Sequence, residues 1–386
     1  MKIRQGVVKS PDALEGVLAS LAAIEPNLVL VFGAIGYFAD KLLVERLRQQ
    51  FPAAVLLGCS TAGEVSNAGV EEGSCVVTAL RTDKIRITAT STRLQGMEDS
   101  LSAGKRIGTA LAHADLKAVL LFAPGVGING SALVAGLAGQ VGAVPITGGL
   151  AGDGGAFRRT FTLGRDGSAD DAVVAIGLGG ADLRIGQGSF GGWETFGLAR
   201  KVTRAAGNVL YELDGEPALE IYKRYLGQHA ANLPASGLLF PFAMLGEDLD
   251  ASGLIRTILG VDEAAGSLTL AGAIDPQGYL KLMHASTDRL VEGAETAAGT
   301  ALGMLSAAGH GEGEEGEALA VLVSCVGRKL VMGDRVDEEV EAVGDVLGQH
   351  VTLAGFYSYG EICPSAPGLA CHLHNQTMTI TVIREA

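Results

Sequence analysis

Residues 28–64 read LVLVFGAIGYFADKLLVERLRQQFPAAVLLGCSTAGE, and this stretch decides the fold. It passes from an apolar run through a helical pattern to a second apolar run, which ends in small residues. Apolar runs of this length, bounded by glycine, are typical of strands that are buried on both faces beneath packed helices. A further run, SCVVTAL at 74–80, completes a β-α-β-β unit.

The same layout recurs twice along the chain. The second copy comprises AVLLFAPGV (118–126), VPITGGLAGD (144–153) and AVVAIGL (172–178), and the third comprises ALAVLVSCVGR (318–328), VTLAGFYSYGE (351–361) and TMTITVI (377–383). We therefore predict an α/β fold in two halves. Its repeated β-α-β-β units form mixed, largely buried sheets flanked by helices, which together make a layered α/β sandwich.

Composition restricts the class of protein. The 386 residues include 29 Lys and Arg against 43 Asp and Glu, which gives a net charge of −14, and no basic cluster stands out. A surface that neutralises the phosphates of a nucleic acid is therefore not expected. The hydrophobic share of 48% indicates a large aliphatic core and an ordered chain.

A mean hydropathy of +0.31 raises the question of a membrane segment. The uncharged stretch 118–152 is interrupted by Pro124, Asn129 and Pro145, so it lacks the ~20 uninterrupted apolar residues of a spanning helix. The charged N-terminus has no apolar signal region, and five scattered cysteines suit a reducing compartment. We predict a cytoplasmic protein that binds no membrane.

The segment between the second and third copies has another pattern. Residues 191–227 predict two strands around a Gly207–Asn208 turn and a helix that begins at Glu216–Pro217. Residues 253–283 predict a strand meander and residues 287–307 a helix. The acidic, glycine-rich run 307–317 predicts a solvated loop.

In each copy the middle strand ends in a small-residue turn that delivers polar side chains. These are Ser60, Thr61 and Glu64 in the first copy, Asp153 in the second, and Ser358, Tyr359 and Glu361 in the third. Because α/β proteins place ligands at the ends of such strands, three equivalent turns can converge on one site. The alternative is that the repeat is a scaffold in which one turn, or none, is functional.

Two motifs with enzymatic precedents lack their usual context. Gly125-x-Gly127-x-x-Gly130 lies between a strand and a helix, but the next strand ends without the acid that binds a ribose. The stretch 58–63, GCSTAG, misses the Gly-x-Ser-x-Gly spacing by one residue, and no orderly histidine and acid accompany it. We therefore predict no catalytic residues and no enzyme.

Histidine and cysteine are the remaining candidate ligands. The run 371–374, CHLH, places two histidines on one strand face, where a divalent ion or a core hydrogen bond can use them, and we predict no dedicated metal site. His284 lies in an apolar strand and is either a hydrogen-bonded core residue or the neutral imidazole that haem iron needs. The thiol of Cys363, which precedes a proline, is a weaker candidate for haem.

Together these segments resemble the FIST sensory domains of bacteria and archaea. The motifs that carry the resemblance are GCSTAGE (58–64), GGLAGD (148–153), VT…GN…ELDGEPALEIY within 193–227, SCVGR (324–328), GFYSYGEI (355–362) and HNQTMT (374–379). The resemblance covers residues 28–385. It implies an N-terminal lead-in at 1–27, a FIST N-like domain at 28–215 and a FIST C-like domain at 216–386.

FIST domains are regarded as ligand-binding input modules. We expect no output module to be joined to this chain, and therefore expect it to act on a partner in trans. In length and layout it resembles the stand-alone NosP-type nitric-oxide sensors. That resemblance implies haem b, nitric oxide as the gas ligand, and regulation of a histidine kinase or a cyclic-di-GMP enzyme in a two-component system. His284 and His374 are the candidate haem ligands, and a homodimer is left open.

The second hypothesis is a haem-free receptor for a small polar metabolite such as an amino acid. Glu64, Asp153 and Glu361 would then hold an ammonium group. The groups for its carboxylate would be Ser60, Thr61, Ser358 or Asn375, with Tyr359 in the same turn and Arg328 nearby. The three turns favour the metabolite, whereas chain length and the lack of an output module favour haem, which is the preferred hypothesis.

Overall fold

The computed structural model describes residues 1–307, 316–364 and 368–386. Most of the solvated loop predicted at 307–317 therefore lies outside the described residues. None of the described helices is long and apolar enough to cross a membrane.

The described helices and strands follow one another in repeating order. The helices are α1 Leu14–Ala22, α2 Ile35–Ala39, α3 Lys41–Gln50, α4 Ser100–Leu111, α5 Gly130–Val141, α6 Ala218–Leu226, α7 Thr287–Ala307, α8 Val326–Met332 and α9 Asp337–Leu347. The strands of the first two repeats are β1 Lys2–Val8, β2 Leu28–Gly33, β3 Val55–Ser60, β4 Glu64–Ser66, β5 Gly69–Glu71, β6 Cys75–Arg81, β7 Arg86–Arg93, β8 Leu116–Ala123, β9 Ile146–Leu150, β10 Thr162–Gly164, β11 Gly167–Ala169 and β12 Ala172–Gly179. The later strands are β13 Leu183–Phe190, β14 Glu194–Thr195, β15 Arg200–Ala206, β16 Val209–Leu213, β17 Glu216–Pro217, β18 Phe242–Leu245, β19 Ala251–Arg256, β20 Ile258–Asp262, β21 Ser267–Leu270, β22 Tyr279–His284, β23 Ala318–Cys325, β24 Val351–Ser358, β25 Gly360–Pro364, β26 Cys371–His374 and β27 Met378–Glu385.

The mixed α/β architecture predicted from the sequence is confirmed, and three of its sheets are copies of one plan. Their strand orders are β1-β6-β2-β3-β10-β11, β7-β12-β8-β9-β25-β26 and β13-β27-β23-β24-β4-β5. In each sheet the two central strands run parallel, and the outer pair is antiparallel. The predicted lead-in at 1–27 supplies β1 and α1, so it belongs to the first repeat.

Each repeat completes its neighbour by exchanging a hairpin. The hairpin β4–β5 of the first repeat extends the third sheet, β10–β11 of the second extends the first sheet, and β25–β26 of the third extends the second. The exchange begins at the predicted turn in the first repeat, where β3 ends at Ser60 and the residues after it lead into β4 of the exchanged hairpin. It also closes the three repeats into a cyclic arrangement, because every repeat both donates and receives a hairpin.

A glycine at the same place in each sheet shows how closely the central strands approach. An added Cβ would lie 1.9 Å from the carbonyl oxygen of the neighbouring parallel strand, at Gly58 against Val31, Gly148 against Leu121, and Gly355 against Leu322. Between the sheets, the rings of Phe32, Phe122 and Phe356 pack with centroids 4.9–5.6 Å apart. The core of the fold is therefore the junction of the three repeats.

A fourth sheet of nine strands is inserted between β13 and α7. Its main order is β19-β18-β22-β15-β16-β21-β20, and α6 packs its apolar face on it through Leu219 and Tyr222. The predicted hairpin around Gly207–Asn208 and the helix after Pro217 appear here. The meander predicted at 253–283 is wrong in part: β20 and β21 pair around the turn at 264–266, but β22 pairs with β18 and β15 instead of β21. Pro217 is the residue before the first turn of α6 rather than a residue within it.

Candidate functional site

The three predicted turns contact one another directly. The amide of Ala62 donates to Tyr357 O (2.8 Å), and that of Gly152 donates to Ser60 O (2.8 Å). The amide of Tyr359 donates to Leu150 O (3.1 Å), which joins the second turn to the third. The hairpin exchange is the cause, because each hairpin begins at a turn and must cross to the next sheet. We call residues 60–64, 150–153 and 357–361 the three-turn cluster.

Two glutamates occupy equivalent positions at the first residues of exchanged hairpins. Glu64 accepts hydrogen bonds from Thr61 and from the amide and hydroxyl of Ser74, both at 2.9 Å. Glu361 accepts them from Ser358 (2.7 Å) and from the amide and hydroxyl of Thr377 (3.1 and 2.9 Å). In the second repeat the corresponding residue is Thr162. It lies opposite Cys59 of β3, just as Glu361 lies opposite Gly149 of β9.

Burial dominates the ionisation of both glutamates. It raises the pKa of Glu361 to about 7, although hydrogen bonds from Ser358 and Thr377 oppose the rise. Burial likewise raises the pKa of Glu64 against its own hydrogen bonds. Close to neutral pH, Glu361 therefore exists in both protonation states, and a nearby cation would favour its charged form.

Asp153 is not the counterpart of these glutamates, contrary to the equivalence predicted for the three turns. It lies in a longer loop, 151–161, that is absent from the other two repeats. Its carboxylate accepts the amides of Phe157, Arg158 and Arg159 (2.8–3.0 Å) and the hydroxyl of Tyr359. Burial raises the pKa of Asp153, but these hydrogen bonds outweigh burial and the pKa lies below its usual value. Asp153 is therefore the charged acid of the cluster.

Two known domain families match nearly the whole chain. The FIST N domain family matches residues 27–216 and the FIST C domain family matches residues 218–364. The chain belongs to the FIST family. FIST domains are sensory ligand-binding domains rather than catalytic ones. No curated protein matches the chain. Among solved structures, a cyanuric acid hydrolase from A. caulinodans is similar at 10% identity and a TM-score of 0.43, over 100% of this chain and 98% of that one.

In this FIST protein Arg328 lies apart from any open surface. Its guanidinium donates to Glu339 (2.7 and 3.1 Å), to Leu290 O (2.8 Å) and to Gly191 O, and both charged side chains are fully buried. Both terminal nitrogens of Arg328 therefore donate to protein groups rather than face a ligand site. Asn375 differs, because its buried Oδ1 accepts no hydrogen bond from the described residues.

The two histidines considered for haem do not fit that group in the FIST protein. His374 is buried, its Nε2 lies 3.0 Å from Cys363 O, and burial lowers its pKa to about 4. His284 is exposed at the end of β22, with the ring of Phe196 at 5.5 Å. Neither histidine lines the cavities of about 550 and 110 Å³. Burial also raises the pKa of Cys363, which keeps its thiol protonated.

Sequence reasoning missed three residues around the cluster. Lys329 donates to Ala62 O (2.7 Å) and pairs with Glu72, and it directly follows the quoted SCVGR motif. Phe157 stacks on Tyr359 with centroids 4.0 Å apart, in a loop that carries no periodic signal. Glu339 was detectable, because it shares the apolar face of α9 with Val343, four residues on.

Proposed function

We propose that this FIST protein is a haem-free receptor for a small metabolite that carries both an ammonium and a carboxylate group, such as an amino acid. The observation that carries the proposal is the direct hydrogen bonding of the three turns around Glu64, Asp153 and Glu361. None of these acids forms an ion pair with a Lys, Arg or His among the described residues. The three-turn cluster thus holds three carboxyl groups against the single ammonium of Lys329, and a ligand ammonium would reduce this excess of acid.

The chemistry of the cluster supports a polar ligand. An ammonium group near Glu361 would lower the raised pKa of that carboxyl and add charge-assisted hydrogen bonds. The backbone amides of Arg158 and Arg159 bond to Asp153. Both side chains are exposed, and because Arg159 pairs with Asp170, Arg158 is the candidate for the ligand carboxylate. The stacked rings of Phe157 and Tyr359 provide an apolar surface beside Asp153.

We further propose that the bound state is passed to a partner signalling protein, either a histidine kinase or a cyclic-di-GMP enzyme. The support is the sensory class of the family alone. Ligand-dependent capture of such a partner by the purified protein is the expected result, and capture that ignores the ligand would separate partner binding from sensing.

Calorimetry with the twenty amino acids tests the site. Asp153→Asn and Glu361→Gln should each weaken binding of the best ligand at least about tenfold, because each removes one countercharge from the ammonium. Asp182→Asn, at an exposed ion pair with Lys84, is the matched control and should bind as the unaltered protein does. Equal affinity in all three variants would place the ligand elsewhere.

An absorption spectrum after addition of haemin, then of nitric oxide under reduction, tests the competing haem sensor. The proposal expects only loose haemin uptake with no sharp Soret band. A sharp band that shifts with nitric oxide and is lost in His374→Ala or His284→Ala would overturn the metabolite receptor in favour of haem.

A further inference from the structure

A cavity of about 550 Å³ lies at the far end of β3 from the three-turn cluster. It opens between the first residues of β3, the β10–β11 hairpin and the edge strand β7. Its apolar wall includes Phe51 and Ala89, and its charged lining residues are Arg48 and Arg165. The volume is within the ~300–1,000 Å³ typical of small-molecule sites.

The equivalent place between the first and third repeats is filled by protein. There Gln5 of β1 donates to Leu353 O (2.8 Å) and to Thr78 (3.0 Å), and accepts from the amide of Asn67 (3.2 Å). The amide oxygen of Asn67 accepts from the amide of Leu353. Two side-chain amides thus satisfy both backbone groups of Leu353 at the edge of β24.

Strand register identifies the residue that takes the place of Gln5 in each repeat. The outer strands place Gln5 opposite Thr78, Ala89 opposite Ile176, and Gln187 opposite Thr381. Thr78, Ile176 and Thr381 are themselves equivalent. Each lies two positions after the residue that pairs with Phe32, Phe122 or Val323, which occupy the same position in their sheets. Ala89 therefore holds, in the wall of the cavity, the register position that Gln5 and Gln187 hold in the other two repeats, and its methyl group leaves open the space that Gln5 fills between the first and third repeats.

The same register leaves a peptide donor and acceptor facing the cavity. Leu56 is the counterpart of Leu353, since both are two residues before the glycines at Gly58 and Gly355. The amide of Val55 donates to Asn27 O, on the β2 side of β3. On the other side of β3, only Gly58 and Cys59 pair with β10. By alternation the amide and carbonyl of Leu56 point to the β10 side, beyond the end of that ladder.

We propose that this cavity binds a small organic anion that combines a carboxylate with an amide. The amide would bond to the Leu56 peptide as Gln5 and Asn67 bond to Leu353. Arg48 and Arg165 would hold the carboxylate, and the apolar wall would take a short aliphatic group. The site is separate from the three-turn cluster and does not depend on the function proposed there.

N-acetyl-L-leucine is a suitable probe because it carries all three features, and its neutral C-terminal amide is the matched control. Ligand-detected NMR and calorimetry should show binding to the unaltered protein, with the neutral compound at least tenfold weaker. Ala89→Gln should abolish binding of both, since it restores the side chain that fills the equivalent place. Circular dichroism should show that this variant remains folded.

Two further variants keep the test independent of Ala89→Gln. Arg165→Gln, at the exposed hairpin turn, should weaken N-acetyl-L-leucine about tenfold and leave the neutral amide unchanged. Gln5→Ala should leave both affinities unchanged, because it alters the other interface. Binding that survives Ala89→Gln, or no binding to the unaltered protein at 20 mM probe (roughly the weakest affinity worth a site), would overturn the proposal. Neither result bears on the amino-acid titrations of the three-turn cluster.

Discussion

Replacement of Arg328 by methionine tests whether this residue is structural or binds ligand. The side chain joins three elements: it pairs with Glu339 on α9, and donates to Leu290 O on α7 and to Gly191 O, just after β13. Methionine keeps much of the volume and removes every donor. Glu339 then remains buried, with only Ser324 and Tyr357 to solvate it.

The expected loss in the free energy of unfolding is about 3–5 kcal/mol, the range for breaking a buried pair by removal of one partner. An average unfolding entropy of about 2.1 cal/mol/K per residue scales to roughly 0.8 kcal/mol/K for a chain of this length. If the chain unfolds as one unit, the loss corresponds to a fall of about 4–6 °C in Tm.

Urea unfolding followed by circular dichroism measures the loss. Arg335→Met is the matched control. Arg335 pairs with Glu338, which lies on the same helix as Glu339, but this pair is exposed to solvent, so its loss should be much smaller than that of Arg328→Met. Equal, small losses in both variants would refute the structural role. A stable Arg328→Met protein that no longer binds amino acids would instead make Arg328 a ligand residue.

Three other substitutions follow from the geometry. The carboxyl of Glu361 has a pKa raised from 4.5 to about 7, so the native state holds its proton more tightly than the unfolded state, and the free energy of unfolding falls as pH rises between these values. Glu361→Gln should remove that fall, which urea titrations at several pH values would measure. An unchanged pH profile would contradict this prediction. Gly355→Ala should cost more than the ~3 kcal/mol of ordinary overpacking, because the methyl meets the carbonyl oxygen of Leu322. Gly299→Ala, on the exposed side of α7 with open space around it, should instead stabilise by up to about 1 kcal/mol, and the same denaturation assay compares the two.

The sequence predicted what depends on local pattern. Strands β2, β8 and β23 contain the largely apolar runs 28–33, 118–123 and 318–325, which are buried along their whole length, and such runs are recognisable without any tertiary information. The third copy is recognisable for the same reason. Glycine turns at the strand ends, the helix at 287–307 and the hairpin around Gly207–Asn208 were predicted on equally local grounds.

The candidate site was predicted less completely. The sequence shows that polar residues follow the middle strand of each repeat. It does not show which of these residues occupy equivalent positions in the three repeats. Asp153 was matched with Glu64 and Glu361, whereas the strand register matches Thr162 with them. The reason is that the loop 151–161 lengthens one repeat, and only the pairing of a three-residue strand shows where equivalence resumes.

Composition and periodicity thus determined the layered α/β class, the number of repeats and the places where turns deliver polar groups, because these follow from which residues each strand and helix must bury. The tertiary structure alone decided that the hairpins are exchanged, that Arg328 is directed at Glu339, and that Ala89 leaves a cavity which Gln5 fills elsewhere. Such features depend on contacts between residues tens to hundreds of positions apart, and no local pattern records which distant partner a short strand or a buried charge will meet.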